Sequence, residues 1–176
     1  WTLRELAFEA ERLLPVGGAA VVFCDWRMVG VVGPAMESGG LRHSNTIVWD
    51  KGAIGPGTGF RAQHEMAVVM TNGVGKYYDR STSNVLTVKR VPGAHKKHPN
   101  EKPIELMRRI IRVVTPPGGL VVDPFCGSGA TGCAAILEGA SFLGFDREAA
   151  HCETARGRLA MVAEDPTSNA RLPRDS

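Results

Sequence analysis

No apolar run in the 176 residues approaches the roughly 18 to 20 that a membrane span needs. The opening stretch WTLRELAFEAER carries charge every few positions, so neither a signal peptide nor a membrane anchor is expected. Internal repeats and low-complexity tracts are absent, which sets aside repeat architectures. The four cysteines, Cys24, Cys126, Cys133 and Cys152, form no CxxC pair and no zinc-ribbon or finger spacing. A reducing, cytoplasmic-type compartment is therefore expected. What remains is 43% hydrophobic and 22% charged, a balance that excludes a disordered or collagen-like chain and suits one domain with a core.

Net charge is +3, but its spread is uneven. Between Lys76 and Arg112 stand ten cations and three acids, a local excess of seven. Such a stretch favours a polyanion such as DNA or RNA through phosphate contacts and counterion release. Charge alone fits a solvated loop and helix face equally well.

Leu3, Leu6, Ala7, Ala10, Leu13 and Leu14 recur at helical spacing until Pro15-Val16-Gly17-Gly18 stops them, predicting a helix over 2–14. Ala19 to Cys24 reads as a strand covered on both faces in a parallel sheet, ending in Asp25-Trp26-Arg27. A helix over 27–38 and strands at 45–50 and 65–71 follow, with a loop at 51–59 that holds four glycines. Residues 72–98 read as a charged surface excursion with one short strand at 85–88. Pro103 then opens a helix bearing Ile104, Met107, Ile111 and Val114, closed by Thr115-Pro116-Pro117-Gly118-Gly119. A buried strand at 120–122, a turn at 123–129, a helix at 130–138 and a strand at 141–145 make a βαβ unit. A last helix spans about 148–162, and the chain from Asp165 onward reads as a loose tail.

The sharpest local signal is Asp123-Pro124-Phe125-Cys126-Gly127-Ser128-Gly129-Ala130-Thr131, set between a strand and a helix. Gly127 and Gly129 let a ligand approach the backbone, and the helix start offers unpaired N–H groups. Asp146 stands 19 residues after Gly127 at the end of the next strand, where a carboxylate can accept hydrogen bonds from a ribose diol. A dinucleotide and another adenosine-bearing cofactor both fit so far. Asp123 divides them: at the mouth of the turn its charge repels a pyrophosphate and suits an ammonium group, as in S-adenosylmethionine. The third glycine of GxGxxG and a Walker lysine are both missing, and a nicotinamide dehydrogenase is accordingly disfavoured.

His98-Pro99-Asn100-Glu101-Lys102-Pro103 precedes the helix that leads into this motif, and with it the chain resembles the circularly permuted, β-class DNA amino-methyltransferases. These are the N6-adenine and N4-cytosine enzymes of bacteria and their phages, in which H-P-x-x-K-P, a helix, a strand and D-P-F-x-G-S-G-x-T come in this order. The likeness extends to Gly144-Phe145-Asp146 and back to Phe23-Cys24-Asp25-Trp26-Arg27, Ile47-Val48-Trp49-Asp50-Lys51 and Arg61-Ala62-Gln63-His64-Glu65, covering about residues 12–159.

The resemblance implies an α/β fold: a Rossmann-like methyltransferase sheet with helices on both faces, incomplete at its N-terminus. It implies one methyltransferase domain at 1–163, with part of the target-base half at 1–75, a basic linker or small recognition region at 76–97 and the cofactor half at 98–163. A flexible tail would follow at 164–176. S-adenosyl-L-methionine is the implied cofactor, held by Lys102, Asp123, Phe125, Gly127, Ser128, Gly129, Thr131 and Asp146. Lys102 would pair with the cofactor's carboxylate, and Asp146, where the family usually has glutamate, would take the ribose.

Double-stranded DNA is the implied partner, with Arg61, Lys89, Arg90, Lys96 and Lys97 as its contacts, and a homodimer is allowed. His95 and His98 have HxxH spacing, but Lys96 and Lys97 between them disfavour a dication, so no metal is expected. Arg61 with His64 and Glu65 resembles an acid/base or nuclease cluster in isolation, whereas the family places this segment near the target base in a structural or DNA-backbone role. Trp26 and Trp49 are expected to be core or pocket walls, with base stacking the lesser reading.

One part is absent. Relatives hold the exocyclic amine with an Asp/Asn/Ser-Pro-Pro-Tyr/Phe/Trp segment at the end of a strand in the middle of the sheet, and the 176 residues contain no such tetrapeptide. Family order puts it before Trp1, so the catalytic residues are expected upstream. The chain is expected to be a truncated member whose chemistry is absent or impaired until another segment supplies that strand. The alternative is a non-catalytic cofactor- or DNA-binding remnant.

Overall fold

The computed structural model describes residues 3–92 and 101–165. The polypeptide divides into two compact units, one ending at Val88 and the other beginning at Lys89.

The first unit runs α1 (Leu3–Leu13), β1 (Ala19–Cys24), α2 (Val29–Glu37), β2 (Arg42–Asp50), β3 (His64–Thr71) and β4 (Val85–Thr87). Its strands form one sheet in the order β1-β3-β2-β4. β3 is antiparallel to β1, with Ala19 opposite Thr71 and Cys24 opposite Met66, and antiparallel to β2, with Asp50 opposite His64. β4 adds parallel to β2. The strand expected at 19–24 is present, but its partner is antiparallel and its side chains are only half-buried. An unbroken apolar run specifies a strand and leaves its neighbour's direction open. The fully buried strand is β3, from Ala67 to Thr71.

Ala7 of α1, Val32 and Met36 of α2, Leu41, Val68 and Met70 form the core of this unit. Of the stripe that the 3.6-residue period placed on α1, Ala7 is buried and Leu3, Ala10 and Leu14 are partly buried against this core, whereas Leu13 is 68% exposed. The helix end is satisfied by Asn72, whose Nδ2 donates to the carbonyls of Glu11 (3.1 Å) and Leu14 (2.9 Å). By the strand register, the turn after Cys24 and the loop 51–63 leave from one end of the sheet.

The second unit runs α3 (Ile104–Val114), β5 (Leu120–Asp123), α4 (Ala130–Leu137), β6 (Ser141–Gly144) and α5 (Ala149–Glu164). β5 and β6 are parallel, in register from Leu120 opposite Ser141 to Asp123 opposite Gly144. With α4 as the crossover they form the βαβ unit that the sequence predicts. On α3 the buried residues are Leu106, Met107, Ile110 and Ile111, so the packed stripe includes two positions beyond those read from periodicity. Arg108 Nε (2.7 Å) and Arg112 Nη2 (2.8 Å) both reach Glu138 Oε1, joining α3 to the end of α4. Burial raises the Glu138 pKa, but hydrogen bonds from Arg112 and Arg108 outweigh it and hold the carboxyl below its ordinary value.

The strand at 120–122 is not buried as expected. Leu120 is 60% exposed and Val122 51%, with Leu143 beside them, while Val121 and Phe142 lie on the more covered face. A strand read as a continuous apolar run is covered on both faces only if a second layer is present. Among the described residues, β5 has β6 as its one strand partner.

Candidate cofactor site

The turn from Asp123 to Gly129 is built by backbone bonds that close it against β6. Phe145 N–H donates to Asp123 O (2.9 Å), Cys126 N–H to Phe145 O (2.9 Å) and Gly129 N–H to Cys126 O (2.8 Å). Gly127 and Gly129 have φ of +49° and +81°, the left-handed region that L side chains resist. Gly129 also caps α4, and a Cβ there would stand 2.9 Å from the Ala155 side chain of α5. The two glycines that the motif supplies are therefore required by conformation and, at 129, by space.

Asp123 Oδ1 accepts the Phe125 N–H (3.0 Å) in an Asx-type turn, and its other oxygen is free of bonds among the described residues. Phe125 itself stands at the rim, 73% exposed. Asp146 faces the turn: its Oδ2 accepts the Gly127 N–H at 2.9 Å, and its Oδ1 accepts the Glu148 N–H at 3.0 Å. His151 Nδ1 lies 3.2 Å from the same Oδ1 and donates in the tautomer that carries its proton there. The Asp146 pKa is lowered, first by the Glu148 N–H and, against the opposing effect of burial, by Gly127 and His151. In the sequence reading this carboxylate accepts the hydrogen bonds of a ribose diol. With Oδ1 taken twice and Oδ2 once, about one lone-pair position is left, on Oδ2.

Asp123 and Asp146 both raise the pKa of Cys126, after burial, which is the larger cause. The buried thiol is thus disfavoured as a thiolate. Ser128 is buried with its hydroxyl 2.9 Å from Arg158 Nη1, and Thr131 is half-buried in the first turn of α4. Lys102 is half-buried just before Pro103, the N-cap of α3. The predicted cofactor residues from 123 to 146 thus converge on one turn.

A family model described as DNA methylase, of the N6/N4 methyltransferase type, matches residues 2–157. The chain belongs to that family. M2.DpnII, a type II methyltransferase of Streptococcus pneumoniae, is 30% identical over 174 positions, covering 88% of this chain and 65% of the relative. The chain spans about two thirds of the length of the curated relatives it matches. The crystal structure of the M1.HpyAVI–SAM complex superposes with TM-score 0.80 at 25% identity, covering 90% of this chain and 83% of that one. The cytosine-N4-specific PvuII DNA methyltransferase shares the fold with TM-score 0.71 at 19% identity, covering 88% and 68%.

Elsewhere the family motifs fall as follows. Trp49 is 3% exposed and its Nε1 donates to Val88 O at 2.7 Å, a core residue as expected. Trp26 is 59% exposed, which excludes the core half of the core-or-pocket-wall expectation: it sits in the turn after β1, beyond the last paired residue. On either side of it Arg27 and Asp25 pair at 2.9 Å. Arg61 lies in the exposed loop with Nε donating to Gly55 O (2.8 Å), and Glu65 pairs with Lys51 (3.1 Å). Lys89 and Arg90 are exposed after β4. Lys96, Lys97, His95, His98 and the tail from 166 lie outside the described residues. No group of metal-ligating side chains occurs among the described residues, and none of their helices is long and apolar enough to cross a membrane.

Sequence reasoning missed Glu101, Arg158 and His151. Glu101 lies inside the H-P-N-E-K-P motif, which was a usable signal. Arg158 reads in sequence as one more helix-surface cation, and its contacts are set only by packing.

Proposed function

We propose that the second unit binds S-adenosyl-L-methionine at the Asp123–Gly129 turn, and that the chain serves methyl transfer to the exocyclic amine of adenine (N6) or cytosine (N4) in DNA. The observation that carries this reading is the Gly127 N–H held by Asp146 across the turn, which ties the carboxylate after β6 to the two left-handed glycines that lead into α4. The donor set fits the group. Asp123 has a free carboxylate oxygen for the ammonium, Asp146 has a remaining acceptor position for a ribose hydroxyl, and Phe125 offers an exposed aromatic face at the rim. Gly127, Ser128, Gly129 and Thr131 supply backbone close to the ligand, and Lys102 is the cation assigned to the carboxylate. When bound, the cofactor supplies an electrophilic methyl on a cationic sulfur. The amine is its own nucleophile, so the protein needs no covalent intermediate and acts by orientation and by excluding water.

Arg61, Lys89, Arg90, Lys96 and Lys97 are assigned to the phosphates of double-stranded DNA, with one domain at 1–163 and the divisions at 75 and 97 that the family order gives. The acceptors for the target amine are assigned to an Asp/Asn/Ser-Pro-Pro-aromatic segment outside the 176 residues. The edge of β5 that has no strand partner among the described residues supports a further strand pairing there, and the exposed side chains of Leu120 and Val122 support a layer covering that face. The present chain then binds cofactor without methylating DNA. Calorimetry with S-adenosylhomocysteine and transfer of labelled methyl into duplex DNA test the two steps separately. Absence of binding overturns the cofactor assignment. Methylation by the 176 residues alone overturns the missing-segment assignment.

A further inference from the structure

One nitrogen of Arg158 meets three oxygens. Nη1 donates to the Ser128 backbone carbonyl at 2.9 Å and to the Ser128 hydroxyl at 2.9 Å, and lies 2.8 Å from Glu101 Oε1. The ensemble is sequestered: the Glu101 side chain is 4% exposed, that of Arg158 20%, and Ser128 is buried. Burying an ion pair is costly unless its remaining polar valences are met, and here the turn's own carbonyl and hydroxyl help meet them. Both charges lie close enough to act on the fully buried Cys133 thiol of α4, which burial pushes up, Arg158 pulls down and Glu101 pushes up. The same face of α5 meets the turn sterically, with Ala155 and Leu159 against Gly129.

Three segments are thus fastened at one point: the glycine turn through Ser128, α5 through Arg158, and the residue next to Lys102 through Glu101. Resting on the cofactor reading above, we propose that Arg158 is a positioning residue for S-adenosylmethionine. It acts through Ser128 to fix the Gly127–Gly129 backbone and through Glu101 to fix the segment that presents Lys102. It touches no ligand itself. A ligand bound by backbone at close range is sensitive to displacements of this size, and anchoring the turn from behind lowers the ordering cost on binding.

The test is titration calorimetry of S-adenosylhomocysteine into the purified 176-residue protein and its variants, with the melting temperature of each recorded without ligand. Arg158→Met, which keeps the stem and removes all three bonds, is expected to weaken binding at least tenfold. Arg158→Lys offers three donors on one nitrogen and is expected to stay within about threefold of wild type, a rescue that generic packing of the stem does not predict, since methionine packs as well. Glu101→Gln keeps the shape and an acceptor but removes the charge, and is expected to fall between the two. Arg156→Met, on the exposed part of the same helix, is expected to leave affinity unchanged.

If Arg158→Met does not fold, Glu101→Gln and Arg158→Lys carry the comparison, and wild-type affinity in Glu101→Gln overturns the proposal. Equal binding by wild type and Arg158→Met overturns the positioning role and leaves the cofactor reading standing. Equal weakening in Arg158→Met and Arg158→Lys overturns the proposed donor geometry. Failure of the wild type itself to bind overturns the cofactor reading and, with it, the role assigned to Arg158.

Discussion

In the first unit β3 is hydrogen-bonded along both edges and buried from Ala67 to Thr71, whereas in the second unit β5 pairs only with β6 among the described residues and exposes Leu120 and Val122. The two sheets therefore hold their functional loops by different means. The first unit relies on a packed apolar centre, with α1 and α2 closing over Val68 and Met70. In the second, the short parallel pair carries a turn whose shape is set by polar side chains, Asp146 on the Gly127 N–H and Arg158 on Ser128, while Glu138 between the two arginines of α3 ties α3 to the far end of α4. Apolar packing tolerates no cavity and is indifferent to pH; polar anchoring tolerates small volume changes and is sensitive to charge.

Substitutions in the two units should separate these modes. The largest effect is expected from Met70→Ala, which empties a fully buried site beside Val68 and should cost about 3–4 kcal/mol in urea denaturation. A loss below about 1 kcal/mol would mean that the first unit is not held by its apolar centre. Next comes Gly129→Val, where a left-handed φ and the Ala155 contact together should cost about 2–3 kcal/mol and take S-adenosylhomocysteine affinity beyond detection. Unchanged affinity in calorimetry would place the ligand elsewhere.

Asp146→Asn tests the polar mode through pH. The folded-state pKa of Asp146 lies below its ordinary value, so its stabilisation is complete above about pH 4 and is lost as pH falls through the depressed value. The variant should be less stable than wild type by about 1–2 kcal/mol at neutral pH. That difference should shrink on acidification below pH ~4, read from melting curves at several pH values. A pH-independent difference would assign the effect to shape rather than charge. The smallest effect is expected from Leu120→Ala, under about 0.5 kcal/mol, because that side chain is already mostly exposed. A larger loss measured by urea denaturation would show that the β5 face is covered in solution, and would narrow the contrast between the units.

Much of this was legible in one dimension. The β5–turn–α4–β6 order, the two glycines and the 19-residue step from Gly127 to Asp146 all followed from strand length, helix period and turn chemistry, which act over a few residues. The step is met in space by the 2.9 Å bond between Gly127 N and Asp146 Oδ2. Less legible was the direction of pairing for β1, because an apolar run is the same whether its neighbour is parallel or antiparallel. Trp26 and Trp49 look alike as residues after or near a strand end, yet one lies in a turn and the other packs under Val88.

The sequence by itself determined that a strand, a glycine turn and a helix would form at 120–137, and that carboxylates would stand at its two strand ends, since these features depend on local conformational preference. Only the tertiary structure decided which charges would serve the turn. Glu101 and Arg158 are far apart along the chain, and each alone reads as a solvated group. Their pairing exists because the packing of α5 against the turn removes water from both, and a buried charge must then find its partner there.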